Sequence, residues 1–275
     1  MTEYGQDARL TYSEYLHVPQ LLREQHCLAE PPAHDELQFI VVHQVYELWF
    51  KLLLHELDAV HDLVDDGRDA SLREAARLCR RVETIFKVLV QQIHVLESMR
   101  PVDFLAFRNR LKPASGFQSV QFREVECLMG LKDADLLRRV DEDPRLPALR
   151  ARLQADSIPE ALYRTLAVRG HAVTAPVPVR SGAQAAATLA ALRAIYERPD
   201  EHAVLHDLCE ALLDIDEQII LWRRHHVMMV ERQIGAKPGT GKGHTGDLDG
   251  IRYLQTTLGK RALPDLWDVR TVLTD

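Results

Sequence analysis

Leu205, Leu208, Leu212, Ile215, Ile219, Trp222, His226 and Met229 follow one another at intervals of three or four residues without a break. That spacing puts all eight on one face of a long helix. Phe39, His43, Tyr46, Phe50, Leu53, Leu57, Val60 and Val64 repeat the pattern, and a histidine again takes an apolar slot. Leu72, Ala75, Cys79, Val82, Phe86, Leu89, Ile93 and Leu96 give a third stripe. Three such seams predict an all-α fold, a bundle of long antiparallel helices with shorter helices filling its ends. An imidazole facing a dry core needs a partner for each ring nitrogen. A neighbouring side chain would serve, and so would a metal or an iron-bearing cofactor held between helices.

Residues 10–25 carry Tyr12, Tyr15 and Leu16 and predict a short helix. Pro31 and Pro32 break the chain, and the next helix opens at His34 or Asp35 and runs to about Val64. Ser71 with Glu74 three residues on reads as a capping box for a helix reaching Met99. Helical segments follow at 101–111, 119–131, 146–154, 158–168, 183–196 and 200–234, and 170–182 reads as irregular surface. Strand-like alternation is nearly absent. No internal repeat interrupts the chain, so residues 1–275 read as one domain.

Composition narrows the function. Acidic residues outnumber basic ones, 41 to 34, and no basic tract stands out, which argues against nucleic acid as a partner. No apolar run looks long enough to span a bilayer, and the N-terminus lacks the pattern of a secretory signal. Cys27, Cys79, Cys127 and Cys209 show no CxxC spacing and read as reduced thiols of a cytoplasmic protein. Smaller constellations are weak. His55, Asp58 and Asp62 share a helix face that reads as solvated, although an oxygen-rich metal site has that spacing too. His202 and His206 lack the glutamate of a zinc-protease motif. Glu14 to His17 is the only ExxH, where a di-iron bundle needs two. Arg108 follows an apolar run and is either a structural ion pair or a carboxylate clamp. The stretch 234–246 holds five glycines in 13 residues without phosphate-loop spacing. It is either a tether or a lid over a ligand near the end of the His226 helix.

Three longer blocks then carry a resemblance. Phe39-Ile40-Val41-Val42-His43-Gln44-Val45-Tyr46-Glu47-Leu48-Trp49-Phe50-Lys51, Ser115-Gly116-Phe117-Gln118-Ser119-Val120-Gln121-Phe122-Arg123, and Leu221-Trp222-Arg223-Arg224-His225-His226 with Ile234-Gly235 and Gly239-Thr240-Gly241 resemble the tryptophan 2,3-dioxygenase family in content, order and separation. The resemblance spans nearly the whole chain. It implies a helical homotetramer that binds haem b, uses O2 and acts on a small molecule, tryptophan or a derivative. By matching position it implies His226 as the proximal iron ligand, with His225 as a competitor off the apolar stripe. It implies His43 as the distal histidine near the indole nitrogen and Phe39 as an indole-packing residue. Arg108 would hold the substrate carboxylate, and Thr240 its ammonium and carboxylate. Phe104 and Gly116 would line the pocket. Tyr12, Tyr15 and Leu16, in an N-terminal segment of about 30 residues, would reach a neighbouring subunit's pocket.

Two departures from the family pattern bear on outcome. The segment after Thr240 is roughly five residues longer, by 242–249, which makes 240–250 an extended lid or a passive insertion. Ile93 stands where the family often has tryptophan. The leading expectation is 2,3-dioxygenation of tryptophan to N-formylkynurenine. The alternatives are a monooxygenase forming a 2-oxindole from a β-substituted tryptophan, a haem sensor or carrier without turnover, and a helical bundle without cofactor.

Overall fold

The computed structural model describes residues 10–133, 137, 143–174, 180–235, 237 and 250–274. Among these every regular element is helical. Helices α1 (Tyr12–Tyr15) and α2 (Val18–Leu21) lead to the long α3 (His34–Asp66), α4 (Asp69–Glu97) and the short α5 (Pro101–Arg108). Then come α6 (Val120–Leu128), α7 (Leu146–Gln154), α8 (Ile158–Val168), α9 (Gly182–Glu197) and the long α10 (Ala203–Ile234). The C-terminal elements are α11 (Gly250–Thr257) and α12 (Pro264–Asp268). Sequence periodicity did not anticipate these last two, which are too short to show a stripe.

The three stripes become the core. The α4 stripe is buried from Leu72 to Leu96, and on α10 every stripe residue except His226 is buried. On α3 burial is complete from Tyr46 to Val64, while Phe39 and His43 are only half-buried. The stripes therefore leave the dry core at the same end of the bundle, where the histidines sit.

Helix α3 ends because Gly67 adopts a left-handed φ of 68°, which glycine reaches without a Cβ penalty. Only Gly67 and Arg68 separate α3 from α4, so the two pack antiparallel. Tyr46 OH donates to the Leu89 carbonyl at 2.8 Å and Gln92 Nε2 to the Val42 carbonyl at 2.8 Å. The capping box expected at Ser71 does not form. Helix α4 begins at Asp69, which leaves Ser71 inside the first turn, and its hydroxyl donates to the Asp66 carboxylate instead. The helix expected over 10–25 is also broken, since His17 takes a left-handed φ of 51° between α1 and α2.

Helix α10 runs antiparallel to α3 but parallel to α4, a departure from a purely antiparallel bundle. Arg80 of α4 pairs with Asp207 near the start of α10, and Gln233 near its end donates to the carbonyls of Leu96 and Met99 at 3.1 and 3.0 Å. The excursion between the two helices crosses back over the bundle and supplies α5 and α6. The C-terminus is tied down by buried Asp216, which accepts from the Ala262 and Leu263 amides and from Trp267 Nε1.

By length and composition α3 is apolar enough to cross a membrane, contrary to the expectation from sequence. Its apolarity has an internal use here, because α3 packs against α4, α6 and α8 at once. Glu36 within it is fully buried, accepting the Leu28 and Ala29 amides at 2.7 and 2.9 Å.

Candidate active site

Where α3, α4 and α10 part, the bundle encloses a cavity of about 540 Å³, within the range of small-molecule and cofactor sites. Phe39, His43, Tyr46, Glu47 and Phe50 of α3 form one wall, and Trp222, His226 and Met229 of α10 another. Ile93 and Leu96 of α4, Phe104 and Arg108 of α5, and Phe122, Arg123 and Glu126 of α6 close the sides. Gly116 and Ser119 form part of one rim, and Ile251, Leu254 and Thr257 of α11 cover another.

The two histidines face this space in different states. His43 Nδ1 lies 2.7 Å from the Phe39 carbonyl, which can only accept, so Nδ1 carries the proton and donates. Nε2 is then left with a lone pair. Burial pushes the His43 pKa down, against the Phe39 carbonyl and the nearby Glu47 charge, so the ring is neutral. His226 has no hydrogen-bond partner among the described residues. Its ring lies parallel to that of Trp222, 8° apart with centroids at 5.1 Å. Burial first, then competition with His43 for a proton and the Arg123 charge, push its pKa down to about 4. A neutral imidazole with both nitrogens unclaimed in an apolar cavity suits a metal-borne group.

His225 points elsewhere. Its ring meets that of His94 edge-on at 5.8 Å, and His94 in turn bonds Glu97. Of the two adjacent histidines, His226 alone lines the cavity.

The other expected residues divide into three groups. Phe39, Phe104, Arg108 and Gly116 come together with the histidines around the cavity. Phe39 stacks on Phe104 at 5.6 Å and meets Phe107 edge-on at 5.7 Å, an aromatic cluster beside buried Arg108. A Cβ on Gly116 would meet no protein atom within 4 Å, so protein packing leaves that position open. Tyr12, Tyr15 and Leu16 do not join the site within this chain; their side chains are exposed, Tyr12 at 78%. Thr240 and the rest of 240–249 lie outside the described residues. Among the weak candidates, Asp58 pairs with Arg152, Glu14 caps α1 with Thr11, and the His202 and His206 rings contact His171 and Tyr196. No cluster of three or more metal-ligating side chains occurs among the described residues.

Sequence reasoning missed a buried charge network on the α6 wall. Arg123 Nη1 donates to Glu126 Oε2 and Arg223 Nη2 to Glu126 Oε1, both at 2.5 Å, and all three residues are buried. Burial pulls the Glu126 carboxyl upward, but the charges and hydrogen bonds of the two arginines outweigh it and hold it below the ordinary range. The signal was present: Arg123 and Glu126 are three apart on α6, between Phe122, Val125 and Cys127. Trp222 was legible only as one more stripe residue. Arg123 Nε, Trp222 Nε1 and Gln233 Oε1 are buried without hydrogen-bond partners among the described residues, and all three residues line the cavity. Orphaned polar atoms concentrated around one space are what a missing polar occupant would leave.

This geometry can be set beside known proteins. A family model described as Tryptophan 2,3-dioxygenase matches residues 2–145 and 149–273. A protein of Nocardioides sp. named tryptophan 2,3-dioxygenase is 46% identical over 274 residues, covering 98% of this chain and 96% of that protein. Proteins of the same name from Anaeromyxobacter sp. (strain K) and Herpetosiphon aurantiacus are 43% and 41% identical, each over at least 96% of both chains.

Proposed function

The chain belongs to the tryptophan 2,3-dioxygenase family, and we propose that its cavity holds haem b on His226 and presents the indole ring of tryptophan, or of a substituted tryptophan, for oxygenation. The observation that carries this reading is the pair of neutral histidines facing one cavity, of which His226 has no hydrogen-bond partner among the described residues. The orphaned polar atoms around the cavity fit the same group. When bound, haem iron supplies the binding and activation of O2.

The protein's own contributions follow from its side chains. His226 offers a ring nitrogen to iron, and Trp222 fixes the plane of that ring. His43 Nε2 accepts the indole N–H, its tautomer set by the Phe39 carbonyl. Phe39 and Phe104 pack the indole face. Arg108 clamps the amino-acid carboxylate through its planar fork, as the resemblance implies, and Thr240 is the second contact it implies. The apolar lining excludes water from the reacting centre. Each of C2 and C3 of the indole would then gain one atom of O2 as a carbonyl oxygen while the bond between them breaks, opening the ring to N-formylkynurenine.

The same reading takes residues 1–275 as one haem-binding unit that assembles as a homotetramer. The exposure of Tyr12, Tyr15 and Leu16 supports their insertion into a neighbour's pocket. A second outcome rests on Ile93, which lines the cavity with a smaller side chain than the tryptophan often found there. The room suits a β-substituted tryptophan, with a 2-oxindole as the one-oxygen product when an added two-electron reductant carries the second oxygen atom to water. Product masses from 18O2 turnover of tryptophan and of β-methyltryptophan by the haem-loaded protein test both. Two labelled atoms from tryptophan support dioxygenation, one labelled atom supports the second outcome, and no turnover of either defeats both.

A further inference from the structure

Arg108 and the two histidines leave a second buried cation on the cavity wall without a role. Arg123 is 6% exposed. Its Nη1 is taken by Glu126, its Nε is buried without an acceptor, and no protein acceptor among the described residues meets Nη2. Nε and Nη2 form the side-on edge of a guanidinium, the edge that receives a carboxylate with two parallel hydrogen bonds. The charges do not balance either. Two arginines share one carboxylate, so the Arg123–Glu126–Arg223 network carries one surplus positive charge beside an apolar space. Such a charge is costly unless an anion meets it.

We propose that the open edge of Arg123 is the seat of a carboxylate, and that the carboxylate is one of the haem propionates. Position favours the cofactor over the substrate. Arg123 lies over the Phe122 ring, Phe122 meets Trp222, and Trp222 stacks on His226, the residue read as the iron ligand. Arg108 stands instead with the Phe39 and Phe104 rings that would pack an indole. One arginine thus faces each source of carboxylate. The proposal rests on the haem reading of the cavity.

The test is a set of absorbance titrations of the cofactor-free chain with hemin and with hemin dimethyl ester, which lacks the free carboxylates. Arg123→Met leaves Glu126 paired with Arg223, so the remaining buried charges cancel. Arg123→Gln is the second variant, circular dichroism checks folding, and exposed Arg224→Met is the control. The parent chain is expected to bind hemin about tenfold or more tighter than the ester, as charge-assisted hydrogen bonds require. The Arg123 variants are expected to lose that preference while holding the ester as before. An unchanged preference in both folded variants overturns the proposal and leaves the haem reading standing. A parent chain that binds neither form overturns the haem reading as well. If the variants keep the hemin preference but the haem-loaded forms stop discriminating tryptophan from tryptamine, the carboxylate is the substrate's and the propionate assignment fails.

Discussion

The α3 and α10 walls of the cavity each present a histidine at an apolar stripe position, yet the two walls treat it differently. On α3 a backbone carbonyl holds His43 Nδ1 at 2.7 Å, which uses one nitrogen and fixes the tautomer. On α10 no hydrogen bond to the His226 ring occurs among the described residues, and Trp222 stacks on it. A histidine whose hydrogen bonding is half satisfied by its own helix is suited to hand over or receive one directed hydrogen bond. A histidine left without any partner is suited to bind something stronger. Identical sequence patterns therefore prepare two different chemistries, and the difference lies in what the preceding turn offers.

That contrast breaks most visibly at His226. His226→Ala is expected to abolish the Soret band of the haem-loaded protein, while His225→Ala keeps it. The reverse pattern would transfer the ligand role to His225. Arg108→Ala is next, with tryptophan use expected to fall on the order of 30-fold or more, as loss of a buried charge-assisted pair implies. Steady-state kinetics check it, and tryptamine is expected to be a poor substrate of the parent enzyme.

Acid sharpens the same contrast. In the unfolded chain a histidine titrates near its ordinary 6.5, whereas folded His226 titrates at about 4. Between those values the unfolded chain binds a proton that the folded chain refuses. The stability of the cofactor-free protein is therefore whole above pH 6.5 and declines as pH falls toward 4. From pH 6.5 to 5 this amounts to roughly 2 kcal/mol. Urea unfolding at pH 7 and pH 5 should show His226→Leu losing less stability than the parent by about that amount, and equal losses would contradict it. The smallest effects belong to the residues that orient the rings. His43→Ala is expected to slow tryptophan turnover about tenfold and to spare 1-methyltryptophan, which has no N–H to offer. Trp222→Leu should weaken haem binding by a similar factor of about ten, with Trp222→Phe restoring most of it.

The three long helices were legible because eight stripe positions repeat over about seven turns of each, and all of them but Phe39, His43 and His226 are buried. His43 and His226 were legible for the same reason, as polar exceptions in an apolar register. Arg108, Phe104 and Gly116 owed their assignment to the resemblance, since a short helix and a loop carry too little period to show what they face. The capping box at Ser71 failed because Asp66, five residues back, offers the hydroxyl a stronger acceptor than an amide does. The parallel course of α10 against α4 lay beyond any local pattern. Direction depends on how the intervening excursion returns, and periodicity is blind to it. The Arg123 network escaped notice because a basic residue three before an acidic one usually marks a solvated helix face.

That parallel course also dictates an order of assembly. The α3–α4 hairpin closes over two residues and has everything it needs once residue 97 has been made. The cavity does not, because its second histidine lies 183 positions after its first, and the contacts that seat α10 on α4 join residues 127 to 137 apart. Contacts of such separation form slowly, since the entropy of closing the loop is lost before any contact repays it. A nascent chain can thus own a stable hairpin while still lacking any place for a cofactor. The pocket is a late product of folding, completed only when α10 arrives, and cofactor capture should follow backbone compaction in time rather than lead it.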